Sequence, residues 1–406
     1  MIVQFVEPTN IVDLYPLTLT RPAADLRCGI LTLAEKWVFD LNLKREEWGY
    51  LPQLHLQHTG GSFNPVLGAT MYIVGNILPN EPLVSAIQSL KGNESLWHEG
   101  SLIAATAGAY TLLTDAQFDM GNIVESAAFA AAAKNIEISV AKINRPFSLF
   151  VLNGKEIQND FIRITANRDS GPLSNTNRIL GEYPIFIEAG ATIECSILNA
   201  SEGPIYIGKN AQIMEGCMIR GPFAMCEGAV LKMGCKVYNA TTLGPYSVAG
   251  GEISNVVFWG FSNKGHDGFL GNSVLGEWCN IGADTNSSNL KNTYDEVKVW
   301  NYTSQKFELS GQQFCGLIMG DHSKCGINTM FNTGTVVGVA CNVFGAGFPR
   351  QFVPDFSWGG AQGFVTHTLD AVHKTAKLVM PRRQRKYTES DKRIIESVFG
   401  QWAKIP

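Results

Sequence analysis

The chain has 406 residues, too many for one ordinary domain, which favours two or three units or a repeat array. Lys and Arg total 32 against 36 Asp and Glu, a net charge of −4, so the chain lacks the basic excess of general nucleic-acid-binding proteins. Charged residues are only 17 %, below the roughly 25 % of typical globular proteins, while 45 % are hydrophobic. These proportions exclude a mainly disordered chain, and the low charge suggests surface buried against other subunits.

The sequence predicts neither membrane insertion nor export. No stretch approaches the roughly 18 apolar residues that span a bilayer, and the start MIVQFVEPTN lacks the basic and long apolar regions of a secretory signal. The nine cysteines are scattered singly without a CxxC pair, a pattern typical of free thiols in a reducing compartment. We therefore expect a cytoplasmic protein with no membrane association, no nucleic acid and no metal site.

Residues 1–152 alternate strand and helix signals, which predicts an α/β, Rossmann-like domain. Strand patterns fall at 2–6, 71–79 and 102–113, and helical periodicity falls at 31–43 and 81–90. Residues 153–183 are polar and without long periodicity, so we expect a connector there.

Between residues 184 and 350 a six-residue repeat replaces helical periodicity. Its members are Ile207, Ile213 and Ile219, then Met319, Cys325, Phe331, Val337 and Val343. Glycine follows several of them, as at Gly208, Gly320 and Gly338. An aliphatic residue at every sixth position predicts a left-handed parallel β-helix, in which three six-residue sides form one coil. Residues 286–316 interrupt the repeat and predict an insertion.

Residues 351–406 combine an aromatic, glycine-rich loop (356–364) with two predicted helices at 367–380 and 388–402. Thr388 and Asp391 have the spacing of a capping box. We expect these helices to cover the open end of the β-helix. The basic stretch PRRQRK (381–386) between them is either a solvated face or a phosphate-binding segment.

His266 is the strongest catalytic candidate in the sequence. It lies in a polar stretch with glycine on both sides, where burial in an apolar core is a poor explanation. A neutral imidazole is a suitable general base near neutral pH, but it needs an acceptor to orient its other nitrogen. Glu252 is fourteen residues earlier, about one coil away, and is the candidate for that acceptor.

The stretch SNKGHDGFLGNSVLGEWCNIGADT, followed by SNLKN, resembles the acetyltransferase half of the bifunctional glucosamine-1-phosphate acetyltransferase/N-acetylglucosamine-1-phosphate uridylyltransferase family. The resemblance implies that His266 is the catalytic base and that Glu252 orients it. It also implies that Asn280 and Asn289 bind the amino sugar, and we expect Lys264 to bind substrate. Acetyl-CoA or another acyl-CoA would be the co-substrate, in a homotrimer with sites between subunits.

Two positions depart from the family pattern within this stretch. Phe269 replaces a tyrosine, and Ser254 stands where the family has a lysine that holds the sugar phosphate. The acceptor sugar is therefore expected to differ. A further stretch, MGDHSKCGINTMFNTGT (319–335), would line the CoA cleft according to the resemblance, with Lys324 near the co-substrate.

LYPLTLTRPAADLRCGILTLAEKW (14–37) resembles the opening signature of sugar-1-phosphate nucleotidylyltransferases. The resemblance implies nucleotide-binding roles for Thr18, Arg21 and Arg27, and nucleotidyl transfer would need Mg²⁺ with a nucleoside triphosphate. EPTNIVD (7–13) replaces the family's glycine-rich phosphate loop, and Asn76 replaces its metal-binding aspartate. We expect an altered, shortened version of that domain.

Nearly the whole chain resembles a group of proteins described as sugar nucleotidyltransferases, common in Bacteroidetes. The leading hypothesis is a transferase of sugar-nucleotide or cell-envelope precursor synthesis, which moves an acyl group to an amino-sugar phosphate or nucleotide amino sugar. In this hypothesis the N-terminal domain binds a nucleotide or sugar phosphate. One alternative is nucleotidyl transfer, of a thymidylyl or uridylyl group, as the main activity. The other is a degenerate regulatory protein that binds nucleotide sugars.

Overall fold

The computed structural model describes residues 1–57, 63–115 and 133–403. By its contacts the chain forms two units. The first comprises Met1–Ile11, Arg21–Leu26 and Leu31–Asn144, and the second comprises Val12–Thr20, Arg27–Ile30 and Arg145–Pro406. Two short pieces of the N-terminal sequence therefore belong to the second unit. None of the helices in the described ranges is long and apolar enough to cross a membrane.

The first unit is an α/β domain with a six-stranded mixed sheet in the order β2-β1-β3-β5-β4-β6. The strands are β1 (Val3–Val6), β2 (Trp48–Leu51), β3 (Met71–Val74), β4 (Ser95–His98), β5 (Ser101–Thr106) and β6 (Ala133–Asn135). The helices are α1 (Leu33–Asp40), α2 (Leu54–Gln57), α3 (Glu81–Gln88) and α4 (Ala107–Asp115). Strands β1, β2 and β3 run parallel, and buried Val3, Phe5 and Ile73 contribute to the core. The Rossmann-like prediction is confirmed, as are the helices predicted at 31–43 and 81–90.

Two element predictions were wrong in this part of the chain. The strand predicted at 102–113 ends at Thr106, and its second half forms α4. The stretch 153–183 was expected as a connector, but its first part belongs to α5, Ser148–Thr165. Buried Phe150 and Ile157 lie on one face of α5. On that face, Asp160 Oδ2 accepts a hydrogen bond from the Ile30 amide at 2.8 Å.

The second unit is a parallel β-helix whose strands form three stacks, here called faces A, B and C. Face A contains Arg178–Leu180, Ile197–Asn199, Met218–Arg220, Lys236–Val237, the first parts of Glu252–Gly260 and Phe269–Glu277, Asn286–Ser287 and Met330–Phe331. Face B contains Ile185–Ile187, Ile205–Ile207, Phe223–Met225, Thr241–Leu243, the second parts of the two long strands, Ile318–Met319, Val336–Val337 and Phe352–Val353. Face C contains Thr192–Ile193, Gln212–Ile213, Val230–Leu231, Val248–Ala249, Asn263–Lys264, Lys324–Cys325, Asn342–Val343 and Ser357–Gly360.

The hexapeptide prediction is confirmed by the interior of this prism. All eight repeat residues named above are at most 5 % exposed and belong to one continuous apolar core. The insertion predicted at 286–316 contains an antiparallel hairpin of Lys298–Asn301 and Lys306–Leu309. The nine cysteines are free thiols, and all except Cys195 are buried.

The C-terminal region holds helices α6 (Leu369–Val379) and α7 (Glu389–Trp402), and the capping box of Thr388 and Asp391 is present. Short 3₁₀ turns lie at Ile11–Leu14, Ala23–Asp25, Arg45–Glu47 and Met380–Arg383. The expected loop at 356–364 is instead largely strand, because Ser357–Gly360 pairs with Gly363–Thr366. The strand Gly363–Thr366 covers the edge of Ser357–Gly360, the last face C strand, whereas α6 packs against Phe261 and Trp278 on the side of the prism. The expectation that both helices cover the open end was therefore wrong for α6.

Candidate active site

His266 lies in a corner of residues 265–268 between faces C and A, here called the His266 corner. Lys264 and Phe269 flank it and are five positions apart, whereas the same corner of the preceding coil takes only three positions, from Ala249 to Glu252. Gly251 makes that short turn with a φ of +71°, and a Cβ there would lie 2.9 Å from the His266 carbonyl oxygen. The longer corner thus rests directly on the shorter one, and the His266 side chain is exposed.

Glu252 begins face A immediately after this short turn. It pairs with Phe269 of the next coil, and its Oε2 lies 3.9 Å from the Lys236 ammonium. The imidazole and the carboxylate therefore come from successive coils at one corner. Within the described ranges no hydrogen bond joins the two side chains, so the orienting role of Glu252 stays a prediction. Catalytic hydrogen bonds are often long in unliganded sites, which keeps this geometry compatible with that role.

Asn289 and Phe269 meet on face A over Gly271. Gly271 pairs with Ser254, and a Cβ at this glycine would lie 2.5 Å from Phe269 Cζ and 2.6 Å from Asn289 Nδ2. Asn289 Nδ2 also donates to Asn272 Oδ1 at 2.7 Å. The absence of a side chain at Gly271 lets an aromatic ring and an amide lie side by side above it.

Gly271→Ala is expected to raise KM for the acceptor about tenfold while leaving kcat within about twofold. The added methyl group must displace either the Phe269 ring or the Asn289 amide, and both are side-chain ends that can move without unfolding the coil. A displaced binding group weakens substrate and transition state alike, which appears in KM. Steady-state kinetics against acceptor concentration measure this. An unchanged KM would remove Phe269 and Asn289 from the acceptor site.

Asn280 lies on face C, around the corner from Asn289. It is exposed and bridges Asn263 of the preceding coil and Lys324 of the next. Arg383 Nη2 donates to Asn263 Oδ1 at 2.8 Å, which brings the basic stretch 381–386 to this face. Burial and the adjacent Arg382 lower the pKa of Arg383. The structure therefore places His266 and Glu252 at stacked corners of successive coils, Asn289 on face A and Asn280 on face C, and their joint role as a site stays a prediction.

Lys264 does not lie in the cleft, which corrects its expected substrate-binding role. It is 1 % exposed. Its ammonium donates to the carbonyl oxygens of Gly250, His266 and Asp267 at 3.1, 2.7 and 3.3 Å. These contacts direct the ammonium toward the backbone of the corner, so a substrate outside the prism cannot reach it.

Lys324 is half-buried, and the contacts of its ammonium do not support the expected contact with the co-substrate. Its ammonium donates to the His322 carbonyl oxygen at 2.9 Å and to that of Trp278 at 3.4 Å. Burial lowers the pKa of Lys324. It supports a corner of the prism rather than a ligand.

Thr18 and Arg27 belong to the second unit, which corrects their expected nucleotide-binding roles. Thr18 is fully buried. The Arg27 Nε donates to the Trp259 carbonyl oxygen at 3.0 Å, its Nη1 donates to that of Ile30, and its guanidinium lies over the Trp259 ring. The residues preceding Arg21 are equally engaged, since Thr20 Oγ1 donates to Asp321 Oδ2 at 2.7 Å. This segment, which would line a nucleotide site by resemblance, is packed within the β-helix unit.

The remaining N-terminal candidates do not form a site for Mg²⁺. Arg21 is 2 % exposed and pairs with Asp25 at 3.3 Å. Asn76, at the expected metal position, donates from its amide to the Ile143 carbonyl oxygen at 3.1 Å. No group of three or more His, Cys, Asp or Glu side chains in the described ranges could hold a metal ion. These residues do not fit Mg²⁺.

Glu7 occupies the end of β1, where the related domains have their phosphate loop by resemblance. Its Oε2 accepts a hydrogen bond from the Ala23 amide at 3.0 Å, and burial raises its pKa to about 8. Strand ends of this kind commonly bind anionic ligands in parallel α/β sheets. Here the Glu7 carboxyl group accepts a hydrogen bond from the Ala23 amide, which could otherwise bind a phosphate.

Glu7→Gln is expected to make the stability of the first unit less dependent on pH. A carboxyl whose pKa is raised on folding keeps more protons in the folded than in the unfolded state, so stability falls as pH rises from about 4.5 to about 8. The slope from one such group is at most about 1.4 kcal/mol per pH unit. Thermal melts between pH 5 and pH 8 (roughly the interval in question) measure it. Equal slopes in the two proteins would contradict the protonated state of Glu7.

Parts of the chain are similar to known proteins. Residues 3–169 match the family described as "Sugar nucleotidyl transferase". The chain is 40 % identical over 76 residues to the bifunctional protein GlmU of Methanocaldococcus jannaschii, covering 19 % of this chain and 18 % of the relative. It is 25 % identical over 153 residues to the uncharacterized acetyltransferase YaiX of Escherichia coli O6:K15:H31, covering 35 % of this chain and 61 % of the relative.

The chain thus spans less than two thirds of the length of both relatives. Among solved structures, the polySia-specific acetyltransferase NeuO matches with a TM-score of 0.27 and 12 % identity, over 48 % of this chain and 87 % of that one. The family match covers well under half of the chain and none of the His266 corner.

Sequence reasoning missed two parts of this site. The sequence did not indicate a role for Gly271, because the space that this glycine leaves matters only once Phe269 and Asn289 are stacked in neighbouring coils. The sequence showed Arg383 as part of a basic stretch. Its contact with Asn263 could not be predicted, because the two residues are 120 positions apart. The paired glycines Gly250 and Gly251 could have indicated the short corner that supports His266.

Proposed function

We propose that this chain is a transferase that moves an acyl group from acyl-CoA to the amino group of a sugar phosphate or nucleotide sugar. The observation that supports the proposal is that His266 and Glu252 belong to stacked corners of successive coils. His266 is exposed, so a bound acceptor could reach its imidazole. The similarity to GlmU and to an acetyltransferase supports the same reaction class.

In the proposed reaction His266 acts as general base. The electron pair of the acceptor nitrogen forms a bond to the thioester carbonyl carbon, and the imidazole takes the proton that the nitrogen loses. The tetrahedral intermediate then expels the CoA sulfur, which leaves as a thiol after protonation. Glu252 would stabilise the imidazolium, while Asn289 and Asn280 hold the acceptor. Positioning two reactants in one cleft supplies much of the rate enhancement.

The active form is proposed to be a homotrimer with sites between subunits. The edge of the prism that carries the His266 corner also presents exposed apolar side chains. Met233 is 69 % exposed and Ile327 is 70 % exposed on this edge, with Met218 and Met330 beside it. Exposed apolar residues gathered near one functional residue are typical of a protein interface. The proposed location is the cytoplasm, where acyl-CoA is available and the free thiols would persist.

The first unit is proposed to bind a sugar phosphate or nucleotide without turnover. Its match to the nucleotidyl transferase family favours ligand binding, but the Glu7 carboxyl and the engaged amide of Asn76 oppose catalysis. Nucleotidyl transfer needs cations around the transferring phosphate. Nucleotidyl transfer as the main activity is therefore the second candidate.

Thiol release from acetyl-CoA, measured across a panel of amino-sugar phosphates and nucleotide amino sugars, tests the proposal. We expect release with at least one amino acceptor and none with its N-acetylated form, which has no free amine. Pyrophosphate release from nucleoside triphosphates with a sugar 1-phosphate tests the second candidate. Nucleotide-sugar binding by calorimetry, with neither product formed, would instead favour a regulatory protein.

A further inference from the structure

We infer that Lys264 is a positioning residue that holds the backbone of the His266 corner, and through it the imidazole, in place. The inference rests on the acyl-transfer function proposed above. It concerns the interior of the prism, beneath the cleft.

Lys264 occupies a column of the prism that is otherwise apolar. The strand pairings stack Ile213, Leu231, Ala249 and Lys264 in successive coils of face C. Through the bridges at Asn280, this column continues to Ile281, Cys325 and Val343. All of its members are at most 5 % exposed. An apolar side chain would suit this position, so packing alone does not explain a lysine.

The carbonyl groups that Lys264 binds explain why a lysine occupies this apolar column. Two of its three acceptors, the carbonyl oxygens of His266 and Asp267, lie in the His266 corner, and the third is on Gly250 in the short corner beneath. Ala249, directly below in the column, leaves room for the long side chain. One ammonium thus ties the longer corner to the shorter one that supports it.

The expected effects on stability favour a role of Lys264 in holding the His266 corner over a role in stabilising the whole fold. Burial lowers the pKa of Lys264, because an ammonium is poorly solvated inside the prism, although nearby Cys235 and Asp267 oppose the shift. Apolar replacements of buried ionic groups are often neutral or stabilising for the fold as a whole. Carbonyl groups that lose a donor would gain freedom to move, and here they belong to the residue that carries the catalytic imidazole.

Lys264→Met keeps most of the length of the side chain but removes its hydrogen bonds, and Lys264→Gln keeps one short donor. We expect kcat to fall about 10- to 100-fold in Lys264→Met and less in Lys264→Gln, with KM for acyl-CoA and acceptor within about twofold. Lys324→Met is the matched control, because Lys324 is a half-buried lysine whose ammonium also binds carbonyl groups, those of another corner. Its kcat should stay within about twofold of the wild type.

A double mutant separates positioning from general damage. If Lys264 acts through the imidazole, adding Lys264→Met to His266→Ala lowers kcat no further, since coupled residues are not additive. Additive losses would overturn the inference, as would equal losses of kcat in Lys264→Met and Lys324→Met.

Hydrogen exchange gives a readout that does not depend on activity. Peptides that cover residues 265–268 should exchange at least about tenfold faster in Lys264→Met, and those of distant coils should be unchanged. Unchanged exchange at the corner would overturn the inference. Absence of acyl transfer in the wild-type protein would instead refute the proposed function, and the exchange data would still decide whether Lys264 holds the corner.

Discussion

His266→Ala is expected to lower kcat for acyl transfer by about 10²- to 10⁴-fold, the usual contribution of a general base. KM for acyl-CoA should stay within about twofold, because the imidazole acts on the acceptor nitrogen during the reaction. The side chain is exposed and has no hydrogen bond to another side chain within the described ranges, so the melting temperature should be nearly unchanged. Thiol release under saturating substrates, together with a thermal melt, measures both quantities.

His98→Ala provides the matched control. Its ring belongs to the first unit, where Nδ1 lies 3.3 Å from the Ile136 carbonyl oxygen, so its loss should leave acyl transfer unchanged. Glu252→Gln should lower kcat by about tenfold, because an amide does not stabilise an imidazolium as a carboxylate does. Retention of full activity in His266→Ala would refute the assignment of the base and favour nucleotidyl transfer or a regulatory role.

The β-helix was predictable because its interior imposes one rule on every coil. Each inward residue has the same neighbours above and below, so Met319, Cys325 and Val337 repeat at a fixed spacing that can be read without coordinates. The α/β class of the first unit followed in the same way from alternating strand and helix patterns. Such local regularities depend little on contacts that are distant in sequence.

The role of Lys264 was not predictable, because coil length varies where the site lies. Neighbouring members of its column are separated by 18 positions from Leu231 to Ala249, but by 15 from Ala249 to Lys264. Because 15 is not a multiple of six, the six-residue repeat counted from Ala249 does not reach Lys264. The repeat therefore assigns this lysine to the surface. The corner that follows Lys264 is longer than the one beneath it, five positions against three, and it carries the exposed His266.

The N-terminal signature gave a wrong prediction of nucleotide-binding residues for a different reason. Pro16, Leu17 and Thr18 match a nucleotide-binding segment residue by residue, yet this segment lies in the β-helix unit. Tyr15 packs there between Tyr302 and Trp402, and Asp13 accepts a hydrogen bond from Asn301. A short sequence motif does not predict in which unit of the chain its residues will pack. Only the long-range contacts show that these side chains are engaged elsewhere.

Met233→Glu combined with Ile327→Glu is expected to convert the proposed trimer into monomers and to lower kcat/KM by at least about tenfold. Both side chains lie on the edge that carries the His266 corner and are about seven-tenths exposed in the single chain. In a trimer each substitution would bury three carboxylates, and unpaired buried charges weaken association strongly. Light scattering after gel filtration measures the assembly, and thiol release measures the activity.

Leu378→Glu is the matched control, because Leu378 is 67 % exposed but lies on α6, away from this edge. It should leave both the assembly and the activity unchanged. Because the sites are proposed to lie between subunits, activity and assembly should be lost together in the double variant. Monomers with full activity would show that one chain holds the complete site, and the apolar edge would then need another explanation.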